Sequence, residues 1–84
     1  MPKTKPVLTS REVFARNLRR ARRLKDVTQE TLALDASVPR AYLSRVERGN
    51  INISLDNADA LARAIGVALH ELVDPAKFAG FDET

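Results

Sequence analysis

The sequence predicts an all-α fold of five short helices built around a central helix-turn-helix. Apolar residues recur three or four apart in successive short runs, the spacing that lines one face of a helix. Capping residues open these runs (Thr9, Thr28, Ser54), and Gly or Pro closes most of them (Gly49, Gly66, Pro75). Two of the runs flank a break of only three residues, Ala36-Ser37-Val38, and two helices joined so tightly make a helix-turn-helix. At 84 residues, 44% hydrophobic and 30% charged, the chain fits one soluble domain with a small core. Aromatic residues are only 5% and Trp is absent, so Leu, Ala, Ile and Val must supply most of that core.

Residues 1–8 carry Pro2, Pro6, Lys3 and Lys5 without periodicity and read as a flexible basic arm. Residues 9–74 read as the folded domain and 75–84 as a C-terminal tail. Thr9-Ser10-Arg11-Glu12 fits a capping box, in which Thr9 and Glu12 each satisfy the other's backbone N–H. The first helix then runs to about Leu24, with Phe14, Leu18 and Ala21 inward and Arg16, Arg19, Arg20 and Arg23 on the opposite face. It ends at Lys25-Asp26 without a glycine, and Asp tolerates the left-handed conformation better than most residues.

Thr28 caps a second helix, about Gln29 to Asp35, but Thr31 stands where the reciprocal half of a capping box requires Glu or Gln. A left-handed Ser37 in the turn would be strained by about 1 kcal/mol. Pro39 opens the third helix, 39–48, where its missing N–H does little harm and its fixed φ helps. Leu43 and Val46 face inward there, and Gly49 ends the helix. After a loop at 50–53, Ser54 caps a fourth helix to about Ile65, with Ala58, Leu61, Ala62 and Ile65 inward. A short fifth helix, Leu69 to Val73, is stopped by Pro75.

The third helix turns Arg40, Ala41, Ser44, Arg45 and Arg48 away from Leu43 and Val46. A helix is narrow enough for the DNA major groove, and these side chains suit base edges and phosphates. The N-terminal part of such a helix meets the bases, so Arg40, Ala41, Ser44 and Arg45 are the expected base contacts. Arg40 leads, because a bidentate arginine on guanine is the commonest specific contact. Thr28, Gln29, Tyr42, Arg48, Asn50 and Asn52 are the expected phosphate contacts, the first two at a helix N-terminus that attracts anions. Charge agrees: up to Arg48 there are twelve Lys/Arg and five Asp/Glu, a net of +7; thereafter two and six, a net of −4. The Arg19–Arg23 cluster is therefore expected to favour DNA as well.

The run Thr28-Gln29-Glu30, Leu32-Ala33 and Tyr42-Leu43-Ser44-Arg45-Val46-Glu47-Arg48-Gly49 resembles the XRE family of phage-repressor and Cro-type regulators. The resemblance extends from about Phe14 to Val73. Arg40 to Ser44, followed by Asn52-Ile53-Ser54-Leu55, is similar to the restriction–modification controller branch. It implies a lambda-repressor-like fold, a Gln29 side chain on the DNA backbone, and glycines where this chain has Asp26 and Ser37. It also implies that Glu47 is structural, paired with an arginine of the first helix, Arg19 or Arg22. Family members dimerise through the last helix, which here offers Leu69, Leu72 and Val73, with Phe78 beyond it, as the expected interface.

Other classes are disfavoured. With no Cys, a lone His70 and no Gly-rich phosphate loop, neither catalysis, a metal nor a cofactor is expected. Asp56 and Asp59 read as solvated charges on a helix. No apolar run reaches the ~18 residues of a membrane span, and no signal peptide precedes the domain, so a cytoplasmic protein without a membrane or small-molecule partner is expected. The expected partners are double-stranded DNA and a second copy of the chain. The alternative is an antitoxin-like module that uses the same domain to bind a protein. An RNA-binding domain is disfavoured by the lack of an aromatic stacking platform.

Overall fold

The structure, a computed structural model, describes residues 8–78. The arm 1–7 and residues 79–84, with Phe81, lie outside them. Among the described residues there are five helices and no strand: α1 Ser10–Leu24, α2 Gln29–Ala36, α3 Arg40–Glu47, α4 Leu55–Ile65 and α5 Leu69–Leu72.

Local chemistry sets the boundaries. The Thr9 hydroxyl accepts from the Glu12 N–H at 3.1 Å, while the Glu12 carboxylate accepts from the Thr9 N–H at 2.9 Å, which completes the capping box of α1. Thr28 and Ser54 each accept one main-chain N–H, from Thr31 and Asn57, and start α2 and α4. Pro39 stands just before α3 and gives no side-chain cap.

The helix ends share one device. Asp26, Ser37, Gly49 and Gly66 are all left-handed, with φ of 58, 60, 72 and 79°. At α2 the Ser37 N–H reaches the Leu34 carbonyl and the Val38 N–H the Ala33 carbonyl, the pair of bonds of a Schellman motif. The same pair recurs after α1, α3 and α4. At three of the four ends the next residue is a valine, Val27, Val38 or Val67, packed against the core. Asp26 and Ser37 thus take the backbone that glycine favours.

α1 lies across α3, α4 and α5, and α2 packs on α3 and α4. Phe14, Leu18, Leu32, Leu43, Leu61 and Leu72 are essentially sealed from solvent at the centre. Each such side chain contributes about 1.5–3 kcal/mol by burial.

Two expected interface residues belong to this core instead. Leu72 is fully buried and Phe78 is 7% exposed, both within the protomer. The reason is size: α5 is a single turn, and α1, α3 and α4 alone leave the core open at that end. Buried Asn17 closes it by donating to the carbonyls of Leu72 (3.1 Å) and Asp74 (2.9 Å). Arg16 donates to the Pro75 carbonyl and Arg20 to that of Phe78. The packed domain therefore reaches Phe78, past the expected start of the tail at residue 75.

Candidate nucleic-acid interface

α3 is held from behind. Leu43 and Val46 are buried in the core, and Glu47, in the last turn, is only 2% exposed. Its carboxylate accepts from Arg22 Nε at 2.6 Å and Arg22 Nη2 at 2.9 Å, and from Gln29 Nε2 at 3.0 Å. Its main-chain carbonyl accepts from Arg19 Nη1 at 2.8 Å. Both arginines proposed from the resemblance are used, one on the side chain and one on the backbone. The network joins α1, the first residue of α2 and the end of α3, so it sets how α3 is carried relative to the N-terminus of α2.

In front, Arg40, Ala41 and Arg45 are exposed and Ser44 is half-buried. Neither the Arg40 nor the Arg45 guanidinium makes a hydrogen bond or ion pair among the described residues. Arg48 donates to the Ser44 hydroxyl at 2.7 Å, one turn back, which leaves the Ser44 O–H to donate outward. These residues thus form one continuous face with a fixed backing.

The expected phosphate contacts divide. The Thr28 hydroxyl accepts from the Thr31 N–H and donates to the Thr31 hydroxyl, so it is spent on the cap. One Gln29 amide hydrogen points back to Glu47. Tyr42 is half-buried, and its hydroxyl accepts from Asn57 Nδ2 at 2.9 Å. Asn52 is exposed and accepts from Arg11 at 2.7 Å, while Asn50 is exposed and its N–H closes the end of α3. Sequence reasoning missed Asn57, Arg11 and Asn17. Only Asn17 carried a signal, being three residues from Phe14 and four from Ala21 on the apolar stripe.

Within the arginine-rich α1, Arg16, Arg19 and Arg20 each donate to a carbonyl and Arg22 to Glu47 and the Val27 carbonyl, so part of their donor capacity stitches the fold.

The profile of a family described as Helix-turn-helix matches residues 18–72. The chain belongs to the XRE-type helix-turn-helix family. The family member is similar to control protein C.BamHI of Bacillus amyloliquefaciens, 38% identical over 65 residues, spanning 76% of this chain and 80% of that one. The restriction–modification controller protein C.AhdI of Aeromonas hydrophila is 40% identical, with a TM-score of 0.71, over 74% of this chain and 94% of its own. The hypothetical transcription factor NHTF from Neisseria superposes with a TM-score of 0.78 at 39% identity, over 89% and 87%. This XRE-type protein is a DNA-binding transcription regulator, and its relatives are regulators rather than enzymes. No helix among the described residues is long and apolar enough to cross a membrane.

Proposed function

We infer that the chain is a cytoplasmic homodimer that reads a (pseudo)palindromic operator with α3 in the major groove. The carrying observation is the pair of exposed guanidinium groups, Arg40 and Arg45, unpaired among the described residues, on a helix whose other face is locked by Leu43, Val46 and Glu47. Arg40, Ala41, Ser44 and Arg45 meet base edges in this reading. Gln29, Tyr42, Arg48, Asn50 and Asn52 hold phosphates, which position without specifying. At Thr28 a phosphate meets the main-chain N–H groups of the first turn of α2, because the hydroxyl is occupied.

The second copy is placed at an apolar groove of about 400 Å³ between α1, α4 and α5, lined by Phe14, Ile53, Leu55, Ala58, Leu69 and Val73. Leu55 is 78% and Val73 39% exposed at its edge. A protruding leucine beside a concave apolar surface suits a two-fold contact, where one patch meets its own copy. Such a dimer sets two recognition helices about 34–36 Å apart, one turn of DNA. Within this reading, the likeness to C.AhdI and C.BamHI favours control of restriction–modification genes.

Selection of bound sites from random duplexes tests the proposal. Enrichment of a site with two inverted halves is the expected result. Enrichment of a single half, or of nothing, overturns the two-fold reading.

A further inference from the structure

Tyr42 and Asn57 meet across the gap between α3 and α4, and the contact has a direction. Asn57 Nδ2 donates at 2.9 Å to the Tyr42 hydroxyl oxygen. The backbone of Asn57 is fixed in turn, because its N–H donates to the Ser54 hydroxyl at 3.0 Å in the cap of α4. A phenolic hydroxyl lies near the plane of its ring, with one hydrogen to donate and lone pairs to accept. Once Asn57 occupies an accepting position, the O–H is turned to the other side. Tyr42 is half-buried and packed against the core, so its ring is held while part of the side chain remains at the surface.

We propose that Asn57 is a positioning residue for DNA binding, acting through Tyr42: it orients the O–H outward as a donor to a backbone phosphate. The proposal rests on the phosphate role given to Tyr42 above. Asn57 carries no charge and does not touch the nucleic acid in this scheme. Its contribution is to remove the rotamer in which the hydroxyl points into the protein and offers the phosphate only lone pairs. A hydrogen bond to an ionised oxygen is stronger than a neutral one, so the orientation matters for affinity.

The test is a double-mutant cycle read by fluorescence anisotropy on a labelled mixed-sequence duplex of about 30 base pairs, across a range of salt. Tyr42→Phe and Asn57→Ala are each expected to weaken binding by about three- to tenfold, and the double variant by no more than Tyr42→Phe alone. The slope of affinity against salt is expected to stay unchanged in all three, since no cation is lost. Asn57→Asp replaces the donor with an acceptor that draws the O–H inward, so it is expected to weaken binding more with Tyr42 present than with Phe in its place. This variant also keeps the shape of the side chain at the start of α4, where an acid is well tolerated, and serves should Asn57→Ala lower the melting temperature. Losses that add in the double variant would assign Asn57 a role of its own and overturn the proposal. So would a wild-type Kd for Asn57→Ala. A wild-type chain that fails to bind the duplex even at low salt overturns the phosphate role of Tyr42, and this proposal with it, while leaving base readout by Arg40 to the selection experiment.

Discussion

Arg22 and Glu47 lie 25 positions apart and meet as a two-pronged ion pair, Nε to Oε2 at 2.6 Å and Nη2 to Oε1 at 2.9 Å. Their side chains are only 12% and 3% exposed, so water screens them little. In that setting the net worth of the pair is small compared with the penalty of leaving one member alone. Glu47→Ala strands the Arg22 charge and also frees Gln29, and is expected to destabilise by about 3–5 kcal/mol. Urea unfolding measures it. Arg22→Met combined with Glu47→Leu is expected to recover a large part of that loss, because no buried charge remains. A double variant no more stable than Glu47→Ala would show that the attraction, and not the stranded charge, dominates.

A milder effect is expected at the turn. Ser37 sits at φ 60°, a conformation that strains a serine by about 1 kcal/mol. Ser37→Gly relieves that strain but gives the unfolded chain more freedom, so the net gain is expected to be about 0.5–1 kcal/mol. In a domain of this size that raises the melting temperature by several degrees, of order 2–8 °C. A lower melting temperature would mean that the serine side chain supports the turn in a way its φ does not reveal.

Both features bear on what the sequence disclosed. The caps were legible because they are local: Thr9 with Glu12, Thr28 and Ser54 act within one turn of themselves. The strain at Ser37, where relatives carry glycine, and the pairing of Glu47 with α1 both follow from the family resemblance. The partners of Asn17, Arg16 and Arg20 were not legible, because they are carbonyls more than 50 residues away; the place of Asn17 on the apolar stripe signals its burial but not what it holds. The resemblance puts Leu72 and Phe78 on a partner's surface because a family's mode of dimerisation does not say which apolar side chains near the last helix the protomer itself covers. Here the core was short of cover at the end of α1, and both side chains turned inward.

At α3, Arg40 stands in the first turn, exposed and without a protein partner among the described residues. Arg40→Ala is expected to lower affinity for the selected operator by about 1–3 kcal/mol and to relax the preference at one base pair in each half-site. Binding to mixed-sequence DNA should fall much less. Competition binding on a panel of single-base operator variants separates the two. Equal losses on operator and mixed DNA would move Arg40 from the bases to the phosphates.

The interface carries the last prediction. With Leu72 and Phe78 inside the protomer, the apolar surface beside α5 that can meet a partner is the groove edge formed by Leu55, Leu69 and Val73. Leu69 is half-buried at the N-terminus of α5, so a charge there reaches the groove without entering the core that Leu72 fills. Leu69→Glu is expected to give a folded monomer, because the carboxylate would lose its water on pairing with a second copy. Two such charges face each other across a two-fold contact, which doubles the penalty. Weak binding to a full operator, with binding to a single half-site largely kept, is the corresponding expectation on DNA. Leu72→Glu provides the contrast: it places the charge in the sealed core and is expected to unfold the chain. Sedimentation at micromolar concentration decides between them. A Leu69→Glu variant that stays dimeric would put the interface on another face, and a monomeric wild type would remove the two-fold operator.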